Sequence, residues 1–277
     1  MANNAPLCCS PAAFKLLARQ MKNIESPDAL LNGAVAIAMH QMDHVDLKAI
    51  DRQIQGYADR LRQRVRGRQP QALLAHLHDV LFEDEGFHGS SEDYYNPLNS
   101  YLPAMLKTKQ GIPITLCLLY KLVAERVGFK SWGVGLPGHF LAGIECGGDT
   151  LLIDCFAGGR ILSNEEAHEQ MVLHLGPDVE WSMELLQPIS NRRFLTRFLQ
   201  NLLNLFGTED RFQDVAAILE MEMLLWPDQQ HLQRDLALVL ARCGFSQPAG
   251  IWLDKYLKSN PDDPQLPELQ QLREVLK

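Results

Sequence analysis

Apolar positions recur at steps of three and four along most of this chain and give way to alternation only near its middle. Within "DLKAIDRQIQGYADRLRQRV", Leu47, Ile50, Ile54, Tyr57, Leu61 and Val65 lay out one stripe of a helix. "AAFKLLARQM" predicts a shorter helix before it. "SPDALLNGAVAIAMH" predicts another, with Ser26 placed to cap it, Pro27 suited to its first turn and Asp28 complementing its positive end. "ALLAHLHDVLFEDEGF" reads as a helix that stops at Gly86, and the polar stretch "HGSSEDYYNPLN" as a loop. "SYLPAMLKTKQ" and "PITLCLLYKLVAERVGF" are again helical, the second opened by Pro113 and closed by Gly128. The pattern then shortens to strands in "KSWGVGLP", "HFLAGIEC" and "TLLIDCF", and residues 165–180 return to helix.

From about Arg192 the chain reads as all helix, with an internal repeat. Asp210, Val215, Leu219, Met223 and Pro227 recur 34 positions later as Gly244, Ala249, Leu253, Leu257 and Pro261. Phe198, Leu202, Leu205 and Phe206 recur at the same shift as Leu232, Leu236, Val239 and Leu240. A helix–turn–helix unit of that period resembles the tetratricopeptide repeat. "WPDQQ" and "NPDDP" are its turns, and "PELQQLREVL" is a terminal helix.

The 277 residues, 46% of them hydrophobic, suffice for one large domain or two modest ones. A net charge of −8 argues against nucleic acid and against an anionic membrane surface as partners. "RQRVRGRQPQ" is locally basic, but with Gly67 and Pro70 it reads as a solvated loop. The start "MANNAPLCCSPAAF" lacks the basic and apolar regions of a secretory signal, and no apolar run is long enough to span a bilayer. Cysteines at 8, 9, 117, 146, 155 and 243 form no CxxC spacing, so we expect reduced thiols and a cytoplasmic protein.

Two of the strand-like segments carry an ionisable residue each, His139 and Asp154. If Gly147 and Gly148 form a two-residue hairpin loop, Cys146 pairs with Asp149, Leu141 with Asp154 and His139 with Phe156. His139 and Asp154 then share a face as diagonal neighbours about 7–8 Å apart at the backbone. Such a pair fixes the tautomer of the imidazole and needs a nucleophile to become a triad. A thiol is activated at the positive end of a helix, and the helix opened by Pro113 offers Thr115 and Cys117 there. Those two positions point about 200° apart around the helix.

The stretches "DYYNPLNSYLPAMLKTKQGIPITLCLLYKLVAERVGF", "GVGLPGHFLAGI" and "LLIDCFAGGRILS" resemble the transglutaminase-like core of bacterial SirB-type proteins, over roughly residues 27–185. A related segment occurs in some F-box proteins, and the SirB-type proteins carry a tetratricopeptide-like tail. The resemblance implies an α+β fold with a papain-like core, a helical N-terminal region and an antiparallel sheet, followed by an all-α tail. It divides the chain into a helical segment 1–26, a core 27–185 and repeats 192–277. It places His139 and Asp154 on the family's His and Asp positions, and its nucleophile slot near Ile114 or Thr115, where SirB-type proteins lack cysteine, as this chain does.

Each candidate also has a purely structural reading. His139 can be a hydrogen-bonded core residue and Asp154 a turn cap; Cys117 and Cys155 can be small core residues. Asn99 either caps the next helix or takes part in recognition. Glu83 and Tyr95 belong to the family-like block and are candidates to line a groove beside His139, and Arg160 is a candidate carboxylate binder. The pairs His40/His44 and His76/His78 show no third ligand, so no metal or cofactor is expected. "GGDT" and "AGGR" are hairpin glycines rather than a phosphate loop. Two functions follow: a non-catalytic or residually catalytic protein that binds a protein or peptide, and, as the alternative, a cysteine hydrolase or acyl-transferase using Cys117, His139 and Asp154.

Overall fold

The computed structural model describes residues 5–65, 67 and 69–276; residues 1–4, Arg66 and Arg68 of the basic loop, and Lys277 lie outside them. The chain divides into two compact units, one made of residues 1–43 with 198–277 and the other of residues 44–197. Boundaries drawn at 26, 185 and 192 follow chain order, and chain order alone cannot show that the first helices join the last ones.

In the first unit, α1 (Pro11–Gln20) and α2 (Pro27–Ala38) each begin on a proline, whose missing N–H costs nothing in a first turn. Just before α1 the chain is pinned by the Glu220 side chain, which accepts the N–H groups of Leu7, Cys8 and Cys9 at 2.6, 3.1 and 2.7 Å.

The 44–197 unit opens with α3 (Leu47–Arg64), capped by Asp46, whose carboxylate accepts from the Lys48 and Ala49 amides. Ile50, Ile54, Tyr57 and Leu61 of the expected stripe are buried. α4 (Pro70–His78) runs on into a π-helical turn, Asp79–Asp84, and the chain turns away at Gly86, which has φ +68°. Next come β1 (His88–Gly89), a short helical turn Pro97–Ser100, α5 (Leu102–Thr108) and β2 (Gln110–Gly111), which pairs in parallel with β1. α6 (Pro113–Arg126) is buried almost all round, so its sequence shows little amphipathic pattern.

α6 packs on a four-stranded antiparallel sheet whose order is β3 (Ser131–Val134), β4 (Leu141–Cys146), β5 (Asp149–Asp154) and β6 (Arg160–Leu162). Gly147 and Gly148 both have positive φ, +65° and +99°, as a two-residue primed turn requires, and Cys146 pairs with Asp149. His139 lies two residues ahead of β4 rather than inside it. Val134, Leu141, Leu152 and Leu162 form one face of the sheet with Ala167 and Met171 of α7 (Asn164–Leu175), a helix opened by a Ser163–Glu166 capping box. Tyr120 of α6 lies among Cys117, Cys146 and Cys155 at the other layer.

α8 (Asn191–Thr208) carries the chain out of this unit. α9 (Phe212–Leu225), α10 (Gln230–Arg242), α11 (Ser246–Ser259) and α12 (Leu266–Val275) follow. The backbone repeats at the sequence period. Asp210 and Gly244 both adopt left-handed conformations, with φ +54° and +80°. The next residues, Arg211 and Phe245, each donate N–H at 2.9 Å to the fifth residue before them, Phe206 and Leu240. Aspartate is among the residues that tolerate this conformation, which is why the turn survives without glycine at 210. Among the described residues no helix is long and apolar enough to cross a membrane.

Candidate functional site

The hairpin register delivers the two ionisable residues to one another: His139 Nε2 lies 3.1 Å from Asp154 Oδ2, with both side chains buried. The loop that brings His139 there is closed by its own N–H, donated to Leu136 O at 3.1 Å. It also depends on Gly138, at φ +75°, where a Cβ would stand 2.8 Å from His174 Cβ. That close approach lets the His174 ring of α7 stack on His139, with centroids 5.6 Å apart and planes 11° from parallel.

Asp154 divides its oxygens. Oδ2 meets the imidazole, and Oδ1 accepts the N–H groups of Phe156 and Ala157 at 3.0 and 3.1 Å. The carboxylate is thus both the turn cap and the partner of His139. Burial pushes its pKa up, but the His139 hydrogen bond and the two turn amides outweigh burial and hold it below the ordinary 3.8. An ionised Asp154 in turn fixes His139 with its proton on Nε2 when the ring is neutral. Nδ1 is then the unprotonated nitrogen of the ring.

Phe156 closes the other side. Its ring lies against the backbone of Gly89, where an added Cβ would be 2.5 Å from it. It stands edge-on to His139 at 6.5 Å and to Tyr94 at 6.1 Å. Tyr95 continues the row beside Tyr94 at 5.4 Å and is 77% exposed.

The nucleophile candidates stand differently. Cys117 is fully buried, its Sγ 3.5 Å from the Phe140 carbonyl and in contact with Cys155, and among the described residues no hydrogen bond joins it to the His139 ring. Burial, then Cys117, push the Cys155 thiol far above its ordinary range, which keeps that sulfur protonated. Thr115, in the first turn of α6, is also fully buried, and its hydroxyl has no hydrogen-bond partner.

The four candidate binding residues separate. Asn99 does not cap α5, whose N-cap is Tyr101; it is buried, donates to Asp93 O at 2.6 Å and accepts the Ile112 amide through its own carbonyl, tying the tyrosine loop to the start of α6. Tyr95 belongs to the aromatic row beside His139. Glu83 is exposed on the π-helical turn. Arg160 sits opposite Asp154 in register, but its guanidinium pairs with Glu166 of the capping box. Among the described residues no group of three His, Cys, Asp or Glu side chains could hold a metal ion. His40 bonds Asp214, His76 lies by Asp79, and His78 bonds the Tyr120 hydroxyl.

His174, Phe156 and Tyr94 are the site residues that the sequence pattern did not single out. His174 arrives on a helix beyond the sheet, and only its spacing from the exposed Leu173 and Leu175 sets it apart.

The His139–Asp154 pair, set by the loop before β4 and the end of β5, lies within the part of the chain that matches a known family. Residues 48–200 match the family described as "Transglutaminase-like superfamily", and the chain belongs to that superfamily. It is 33% identical over 236 residues to a UPF0162 protein of Xylella fastidiosa, covering 84% of each chain. It is 23% identical over 185 residues to a UPF0162 protein of Vibrio cholerae, covering 67% of this chain and 68% of that one. It is 32% identical over 199 residues to F-box only protein 21 of Mus musculus, covering 68% of this chain and 30% of that protein.

Proposed function

We propose that this chain is a transglutaminase-like protein that binds a protein or peptide segment at the surface beside His139, and that it performs no thiol chemistry there. The observation that carries this reading is the state of Cys117: fully buried, with its sulfur turned to the Phe140 carbonyl. A thiolate attacks only when it is formed and reachable, and an apolar, enclosed site opposes both. Thr115, near the position the resemblance assigns to the nucleophile, offers a hydroxyl with no base bonded to it.

Three finer assignments go with this reading. The core is papain-like, of the SirB type, with β5 supplying Asp154 and the loop before β4 supplying His139. Residues 192–277, from α8 onward, are tetratricopeptide-like, supported by the backbone that repeats between Asp210 and Gly244. The protein works in the cytoplasm without a cofactor, and its partners are protein segments rather than nucleic acid or lipid.

The test is to incubate the full chain with a glutamine-containing peptide and a primary amine. The expected result is unchanged peptide mass, with saturable binding detected by fluorescence anisotropy. Ammonia release or amine incorporation that disappears in Cys117→Ser or His139→Ala would overturn the proposal.

A further inference from the structure

We propose that Arg197 is the carboxylate-recognition residue of this surface, so that the segment bound beside His139 is a peptide carrying a carboxylate. The inference rests on the peptide-binding reading above and adds the chemistry that selects the peptide.

Arg197 is only partly exposed, and its Nη2 donates to Leu136 O at 3.4 Å. The same carbonyl accepts the His139 amide at 3.1 Å, so the guanidinium and the His139 loop meet at one oxygen atom. A guanidinium carries five N–H donors, and this one long bond occupies a single donor. Buried cations are ordinarily paired with an acid. Here the charged or titratable neighbour is the Tyr94 hydroxyl, and no carboxylate among the described residues faces the group. Burial pulls the Arg197 pKa below its ordinary 12.5, the direction expected of a cation without a counter-charge.

Arg160, opposite Asp154 in the sheet, is by contrast paired with Glu166. The fork of Arg197 is free to take the two oxygens of a carboxylate side by side, the geometry in which Arg is strongest.

The surroundings favour a peptide over a small free acid. Tyr94, 39% exposed, and Tyr95 extend from Phe156, and Leu173 and Leu175 flank His174 with 78% and 50% exposure. The aromatic row thus begins beside a cation that has no acidic partner, an arrangement suited to a short apolar segment that ends in, or contains, an acid.

The experiment is calorimetric titration of the full chain with three probes: N-acetyl-Leu-Phe as the free acid, the same dipeptide as its carboxamide, and N-acetyl-Leu-Glu-Phe carboxamide. The free acid is expected to bind about tenfold tighter than its carboxamide. The third probe distinguishes the sources: tight binding assigns a side-chain carboxylate as an acceptable ligand, and weak binding restricts the site to a chain terminus. Arg197→Gln, with an unchanged thermal midpoint, should abolish the preference for acid, and Arg197→Lys should keep part of it. Equal binding of acid and carboxamide to the parent protein, or a preference that survives in Arg197→Gln, overturns the assignment. If acid and carboxamide bind equally and Tyr95→Ala weakens both, the peptide-binding reading stands and the role of Arg197 falls. If none of the three binds at millimolar concentration, both fall.

Discussion

Asp154 holds His139 with one carboxylate oxygen, at 3.1 Å, and its own turn with the other, through the amides of Phe156 and Ala157. The imidazole therefore takes its orientation from the same residue that shapes the chain leaving β5. Aligning His139 and closing the turn are one structural event.

Asp154→Asn should lower stability by about 2 kcal/mol at neutral pH, because it weakens three hydrogen bonds to an ionised acceptor. The folded-state pKa of Asp154 lies below the ordinary 3.8, so its stabilisation is fully present above that value and is lost as pH falls through the folded value. The gap between the parent and Asp154→Asn in urea midpoint should hold steady from neutral pH down to the unfolded-state pKa and close below it. A gap that does not change with acid would contradict an ionised Asp154.

Thr115→Val should stabilise the fold by about 1 kcal/mol. Valine keeps the shape of threonine and removes a fully buried hydroxyl that has no partner. A loss of stability in denaturant titration would mean that the hydroxyl is bonded in solution.

Gly89→Ala should cost about 1–3 kcal/mol, since the new Cβ would fall 2.5 Å from the Phe156 ring, which stands edge-on to His139, and displace it. The same variant should broaden or shift the His139 ring resonances in NMR spectra. Unchanged ring resonances would disconnect Phe156 from the site.

In the unit that joins the two ends of the chain, Glu220→Ala should cost about 2–3 kcal/mol, because three backbone amides would lose an ionisable acceptor. Hydrogen exchange at Leu7, Cys8 and Cys9 should accelerate together while the sheet amides stay protected. Uniform acceleration throughout the chain would point to a global effect instead.

What could be read from the sequence was what spacing controls. The Gly147–Gly148 turn set the register, and the register carried His139 to Asp154, although His139 precedes β4 instead of lying in it. The 34-residue shift reappears as matched turns at Asp210 and Gly244. Local pattern was silent where the structure depends on distant partners. His174 and Arg197 reach the site from helices remote in sequence, and nothing in "MVLHLG" or "NRRFLTRFLQ" marks them. The role of Asn99 depends on Asp93 and Ile112, which no capping rule reveals. The parallel pair β1–β2 is too short to leave a period, and the π-helical turn at Asp79–Asp84 looks like ordinary helix in its residues. Glu83 and Arg160 fell in the right block of sequence, but one faces solvent and the other is engaged by Glu166.

The central claim is that the His139–Asp154 pair works without a thiol, and alkylation of the native full chain by iodoacetamide near neutral pH tests it most directly. Peptide mass spectrometry would follow each cysteine. We predict that Cys117 stays unmodified in the native protein and reacts freely only after unfolding in urea. Rapid modification of native Cys117, slowed by His139→Ala, would contradict the account.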